Sequence, residues 1–302
     1  MKRKRFITVG TFDGVHPGHR ALFNRLEQLA AQYLMKPLAL YFPYPPKTLL
    51  SPRPEMTVLS TPPEKKFLLK HLDVPAEELN FMMYREYTPE HFFKKVLLQK
   101  YECGGILAGP DFAFGKNREG DGAWLRRKCE QLGLPCEILP FYNAPDGAKV
   151  SSSLIRKTLA DGRIREANGL LGRRYSLEGR VVCGHKLGRK LGFPTANLDV
   201  NFYKLLPLGV FAVRVRVGRT YYRGICNIGF RPTVNSIHSV IPLTEVHILD
   251  FHQSIYGRRI EVEFYDKMRG EMKFDGLDAL KAQLERDKCA AREIIPQADL
   301  AA

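Results

Sequence analysis

Two histidines three residues apart, His16 and His19, follow the apolar run Phe6 to Val9 through Gly10-Thr11-Phe12-Asp13-Gly14-Val15. Read as strand, turn and helix start, this puts both imidazoles on the first turn of a helix. The leading N–H groups there have no intrahelical partner, and the helix dipole favours an anion. At a spacing of three the rings share one face and can donate to a single phosphoryl group, while Gly14 and Gly18 let the backbone come close. Nucleotidyl transfer is the chemistry such a site serves. Downstream, Val150-Ser151-Ser152-Ser153-Leu154-Ile155-Arg156 offers hydroxyls at a helix start and a guanidinium one turn later, suited to gripping the phosphates of ATP as pyrophosphate leaves. Gly109-Pro110-Asp111-Phe112-Ala113-Phe114-Gly115-Lys116 follows another apolar strand and carries two rings for a flat ligand, with ordinary core phenylalanines as the plainer alternative.

A second constellation lies in the other half of the chain. Gly184-His185-Lys186-Leu187-Gly188-Arg189-Lys190-Leu191-Gly192-Phe193-Pro194-Thr195-Ala196-Asn197 spaces its glycines by four before a Pro-Thr-Ala-Asn turn. Glycines admit phosphate close to the backbone, and Thr195 and Asn197 supply neutral oxygens for Mg²⁺. It is not a Walker P-loop, and a basic glycine-rich loop alone is weak evidence.

The elements that must position these residues fall into two regimes. Up to about residue 168, apolar strands at Phe6 to Val9, Leu38 to Phe42, Asn80 to Met83, Ile106 to Ala108 and Glu137 to Leu139 alternate with helical stretches. That pattern predicts an α/β, Rossmann-like, doubly wound parallel sheet with its ligands beyond the carboxyl ends of the strands. Thr61-Pro62-Pro63-Glu64 reads as a capping box and Thr88-Pro89-Glu90 as a second helix start. From about Tyr175 the period becomes two. Phe211, Val213, Val215 and Val217 alternate with Ala212, Arg214 and Arg216, and Ile260, Val262 and Phe264 alternate with Glu261, Glu263 and Tyr265. Half-buried antiparallel strands with turns at Pro207-Leu208-Gly209, Gly218-Arg219 and Tyr256-Gly257 predict a small closed β-barrel. Asp275 is expected to cap a closing helix whose Leu277, Leu280 and Leu284 form its apolar stripe. The seam is expected at Ala167 to Arg174, giving domains 1–168 and 169–302.

With 47 Lys plus Arg against 32 Asp plus Glu, the formal net charge of +15 fits anionic ligands of any kind. No run approaches the ~18 apolar residues of a membrane span. The six cysteines form neither a CxxC pair nor a disulfide framework. A cytoplasmic protein with reduced thiols and no membrane partner is expected. The charge alone also suits an RNA-binding regulator, but there is no RNP-type aromatic signature, and no nucleic-acid partner is expected.

Gly10 to His19 resembles the HxGH signature of the nucleotidyltransferase superfamily, and Phe12-Asp13-Gly14-Val15 narrows the likeness to its flavin adenylyltransferase branch. Ser151 to Arg156 resembles that branch's ISSTxxR-type motif, with Ser153 where threonine is usual, and Phe42-Pro43-Tyr44-Pro45-Pro46 corresponds to a segment usually carrying a histidine near Tyr44. Gly184 to Asn197 resembles the riboflavin kinase domain, a six-stranded barrel. That likeness continues through Asn227-Ile228-Gly229-Phe230-Arg231-Pro232-Thr233, Glu245-Val246-His247-Ile248-Leu249-Asp250-Phe251 and Ile255-Tyr256-Gly257, while the segment from Thr233 to Pro242 is less typical. The order matches the bacterial bifunctional riboflavin kinase/FAD synthetase family.

The resemblance implies attack by the phosphate of FMN on the α-phosphorus of ATP, giving FAD and pyrophosphate. His16, His19 and Arg156 would stabilise charge, with Gly10, Thr11, Phe12, Asp13, Gly14, Gly18, Ser151, Ser152 and Ser153 around ATP, and Phe42, Asp111, Phe112 and Phe114 around the flavin. It also implies phosphorylation of riboflavin to FMN with release of ADP. There Gly184, Lys186, Gly188, Leu191, Gly192, Phe193 and Pro194 would hold ATP, Thr195 and Asn197 Mg²⁺, and Arg269 the flavin, with Glu245 as general base.

Overall fold

The computed structural model describes residues 4–51, 57–72, 74–144, 147–184, 187–230 and 242–301. His185, Lys186 and the segment from Arg231 to Ile241, with its Arg231-Pro232-Thr233, lie outside the described residues. Contacts divide the chain into two units, Met1–Pro54 with Val58–Ser152, and Glu55–Thr57 with Ser153–Ala302. The division falls ahead of the glycines at 169 and 172. Helix Ile164–Leu171, which ends at Gly172 in the left-handed region (φ 67°), groups with the second unit. Its Asn168 donates to the Phe264 carbonyl and accepts from the Tyr175 N–H.

The first unit is a five-stranded parallel sheet of β1 (Arg5–Gly10), β2 (Lys36–Tyr41), β3 (Ala76–Glu78), β4 (Cys103–Ala108) and β5 (Cys136–Ile138), in the order β3-β2-β1-β4-β5. β4 is buried at every position, as a central parallel strand covered on both faces must be. Apolar clusters line the two faces, one around Leu40, Phe93 and Ile106 and the other around Phe6, Phe23 and Leu26. The Thr61–Glu64 capping box forms, and the Thr88 hydroxyl accepts from the His91 N–H. One expected strand is displaced. Phe81–Tyr84 is a short helix capped by Asn80, and the third strand runs earlier, over Ala76–Glu78. An apolar run of four residues fits a helix turn as well as a strand, and the Asn80 side chain accepting from Met82 N–H decides it locally.

The second unit is a closed six-stranded barrel of β6 (Ser176–Val182), β7 (Ala196–Val200), β8 (Gly209–Val217), β9 (Thr220–Gly229), β10 (Leu243–Ile248) and β11 (Arg259–Arg269), ordered β8-β9-β10-β7-β6-β11, with β11 returning to β8. Phe211, Val213, Val215, Val262 and Phe264 are fully buried, whereas Arg214 and Arg216 face Glu263 and Glu261 across the β8–β11 ladder. Gly218 (φ 65°) makes the two-residue turn between β8 and β9. The closing helix spans Leu277–Ile294, but its N-cap is Gly276 and not Asp275. Leu277 is 68 % exposed, so the packed stripe begins at Leu280 and continues through Leu284, Asp287 and Ala291. A polar residue on that buried face was invisible to an argument from apolar spacing.

Candidate functional site

In the first unit the turn after β1 has an unusual backbone. Phe12 (φ 48°), Gly14 (φ 81°) and Val15 (φ 42°) all lie in the left-handed region, and Val15 is β-branched and fully buried. Such a conformation is disfavoured for a β-branched residue and persists only where surrounding contacts hold it, a pattern that clusters at ligand-binding turns. Those contacts are explicit. The buried Asp13 carboxylate accepts the N–H groups of Leu59 and Ser60 (3.0–3.1 Å) and the Ser60 hydroxyl, whose oxygen in turn accepts the Gly14 N–H at 3.0 Å. Ser152 donates to the Asp13 carbonyl at 2.8 Å. Asp13, expected beside ATP, thus has its carboxylate directed at the 59–60 segment.

His16 is the N-cap of helix Pro17–Gln32, with Pro17 in the first turn. The His16 and His19 rings stack, with centroids 3.7 Å apart, and His19 meets the Phe12 ring edge-on at 5.4 Å. A Cβ on Gly18 would meet the His16 ring at 3.1 Å, so the bare glycine admits that ring beside the helix start. The pair therefore stands at the helix N-terminus and at the carboxyl end of a central parallel strand, where anions bind. The Phe42 N–H donates to the Gly10 carbonyl, so the exits of β1 and β2 are joined. Phe42 is partly buried and meets Phe81 edge-on at 5.9 Å. Phe114 belongs to the buried core and Phe112 stacks on it at 5.3 Å, half-buried, while Asp111 is exposed. Of the two aromatics, then, Phe114 is core and Phe112 borders it. Ser151 is half-buried; Ser153 and Arg156 fall in the second unit, where Arg156 donates to the Ser153 hydroxyl at 3.2 Å.

In the second unit the register places Asn227 opposite Glu245 and Glu245 opposite Asn197, so three polar side chains form one row across β9, β10 and β7. The Asn227 side-chain oxygen is buried and accepts no hydrogen bond among the described residues. Sequence reasoning missed Asn227 as a site residue, although strand alternation would have paired it with Glu245. Two residues along β10, the His247 Nδ1 lies 2.8 Å from the Pro194 carbonyl and its ring packs on buried Phe193 at 5.4 Å. Burial holds the ring's pKa below the usual histidine range, and the neutral ring donates to that carbonyl. The glycine-rich loop is thereby anchored beside Glu245. A Cβ on Gly184 would sit 2.2 Å from the Asn197 amide, and one on Gly188 would sit 2.3 Å from the Phe193 carbonyl, so both close approaches require glycine. Leu191 and Gly192 close the loop's turn through N–H donation to Gly188 and Arg189. A cavity of ≈ 420 Å³, lined by Val181, Pro194, Thr195, Val246, Ile248 and Tyr256, opens beside the turn.

Arg269, expected at the flavin, is held by Asp287 of the closing helix through Nε (3.1 Å) and Nη2 (2.8 Å), with Gln283 on the same carboxylate. Asp287 is 4 % exposed, so Asp287→Ala would leave a largely buried guanidinium unpaired. We expect that change to cost about 3–5 kcal/mol in the melting of the second unit, read from its denaturation midpoint, with the first unit's transition unmoved.

Comparison with known proteins supplies the family. A FAD synthetase family model matches residues 1–154 and a riboflavin kinase model residues 171–295. A protein of Haemophilus influenzae named bifunctional riboflavin kinase/FMN adenylyltransferase is 34 % identical over 93 % of this chain and 91 % of its own length. The Escherichia coli K12 protein of the same name is 35 % identical over 95 % of this chain and 91 % of its own. The chain belongs to the bifunctional riboflavin kinase/FMN adenylyltransferase family. The family's two folds, a parallel nucleotidyltransferase sheet followed by a closed barrel, are those described above. A solved Streptococcus pneumoniae structure described as a macrolide-efflux protein is 30 % identical, with a TM-score of 0.83, covering 97 % of this chain and 95 % of that one. Among the described residues of this family member, no helix is long and apolar enough to cross a membrane.

Proposed function

We propose that this chain converts riboflavin to FMN in its barrel unit and FMN to FAD in its parallel-sheet unit, using ATP for both. The observation that carries the reading is that each unit gathers groups suited to handling phosphate: the stacked His16/His19 pair at a helix N-terminus, and the Asn227–Glu245–Asn197 row beside a glycine-rich loop. In the first, FMN attacks the α-phosphorus of ATP, and the two imidazoles with the leading helix N–H groups stabilise the charge that builds on the phosphoryl oxygens. Gly10, Thr11, Gly14 and Gly18 shape the turn around the nucleotide, and Phe42 and Phe112 face the flavin. Ser153 and Arg156 are assigned to the departing pyrophosphate on the family resemblance. On that assignment residues 1–168 carry adenylyl transfer and 169–302 carry phosphorylation.

In the second centre Glu245 takes the proton from the ribityl 5′-hydroxyl as it attacks the γ-phosphate. Thr195 and Asn197 present hard oxygen donors, and the buried unpartnered Asn227 oxygen stands in the same row, a donor set that fits Mg²⁺. Bound there, the ion would offset phosphate charge. The cavity beside Thr195 combines apolar walls at Val181, Val246 and Ile248 with polar groups at Arg189, His252 and Gln253, a lining suited to a flat base carrying polar edges. A cytoplasmic location accords with six free thiols.

The test is to incubate the protein with riboflavin, ATP and Mg²⁺ and to resolve the products. FMN with ADP should appear first, followed by FAD with pyrophosphate. Failure to form FMN would overturn the assignment of the barrel, and failure to adenylylate supplied FMN that of the sheet unit.

A further inference from the structure

Lys65 is fully buried, a rare state for lysine, whose charge is costly to take out of water unless it is matched. It sits on helix Pro62–Lys70, which the Thr61–Glu64 capping box starts directly after Leu59 and Ser60. Its Nζ donates to the main-chain carbonyls of Phe42 and Pro43, both at 2.9 Å. Burial draws its pKa down to about 8, while the carboxylates of Asp13, in the turn after β1, and Glu78, on β3, favour the charged form. One buried ammonium is thus hydrogen-bonded to the exit of β2 and feels the carboxylates of the turn after β1 and of the end of β3, all at the carboxyl edge of the sheet.

We infer that Lys65 is a positioning residue for FMN in the adenylyl-transfer site, fixing the main chain at Phe42–Pro43 so that the β2 exit presents its aromatic face to the flavin. The inference rests on the reading of the first unit as an adenylyltransferase. Two consecutive carbonyls bonded to one cation fix the chain beyond Tyr41, and the β2 exit is itself tied to β1 by the Phe42 N–H on the Gly10 carbonyl. The turn after β1 has hydrogen bonds of its own, from Ser60 to the Asp13 carboxylate and from Gly14 to the Ser60 hydroxyl, whereas the carbonyls that the Lys65 ammonium bonds are those of the β2 exit, so its loss should fall chiefly on the flavin side.

The experiment compares Lys65→Met, Lys65→Gln and the core control Leu69→Ala in the full chain, following FAD formation from FMN together with riboflavin phosphorylation and melting. Leu69 is buried on the same helix, and its aliphatic side chain has no donor for either carbonyl. Lys65→Met should raise the KM for FMN about tenfold or more, the scale set by two buried carbonyls losing their donor, with KM for ATP and riboflavin phosphorylation within about twofold of the parent. Lys65→Gln keeps an N–H donor and should recover most of the loss. Leu69→Ala should lower the melting midpoint without moving the KM for FMN. An unchanged KM for FMN in Lys65→Met overturns the inference, as does an equal rise in Leu69→Ala. If neither Lys65 variant melts cooperatively in the first unit, Lys65 serves the fold alone and the inference again fails. A parent chain that makes no FAD from FMN defeats the functional reading itself, a different result from any of these.

Discussion

His19→Ala is expected to lower FAD formation from FMN by about 10²- to 10³-fold, the usual loss when one preorganised donor to a developing oxyanion is removed. His19 stands on the first helical turn with its ring stacked on that of His16 and edge-on to Phe12, at the margin of the core formed here by Phe12, Val15 and Phe23, so its loss removes a donor while that core keeps its own members. Phosphorylation of riboflavin by the same preparation serves as the internal control and should stay within about twofold, because no second-unit residue of the proposed kinase site is altered. The comparison is of kcat with FMN against kcat with riboflavin. A cooperatively melting variant that adenylylates FMN at the parent rate would remove His19 from the site.

Glu245→Gln should give the opposite selectivity. Riboflavin phosphorylation is expected to fall by about 10²- to 10⁴-fold, the range for a lost general base, while supplied FMN still becomes FAD. Glutamine keeps the volume and one acceptor oxygen, and Glu245 lies half-buried between Asn227 and Asn197, so the barrel ladder has no reason to move. Riboflavin affinity, followed by fluorescence quenching, should persist. Parent kcat in the variant would make Glu245 an ordinary strand residue. A loss confined to affinity would leave it a binding role without proton transfer.

The placement of both histidines was legible in the sequence because its information is local, a strand, a turn and a helix start within residues 6–19, whereas Glu245 was singled out by the family resemblance, period two giving only its half-buried strand. The same alternation gave the Arg214–Glu263 and Arg216–Glu261 pairs their common face. What escaped were partners brought in over long separations. Ser60 reaches Asp13 and Gly14, Lys65 reaches Phe42 and Pro43, and Asp287 reaches Arg269 from a helix whose apolar spacing hid a charged contact. Asn80–Met83 was misread because its three apolar residues, Phe81, Met82 and Met83, carry no resolvable period, and a single cap decided the outcome.

The Asp13 anchor also bears on how the chain is made. The turn at residues 10–19 is synthesised well before the partners of its carboxylate, Leu59 and Ser60, which lie 46 and 47 positions after Asp13. At about 5–20 residues per second, a ribosome would need roughly 2–10 s to deliver them. Until then Asp13 stays hydrated and the left-handed backbone at Phe12 and Val15 lacks this anchor. The nascent turn is therefore open during synthesis and closes on its anchor only after the chain through Ser60 has left the exit tunnel.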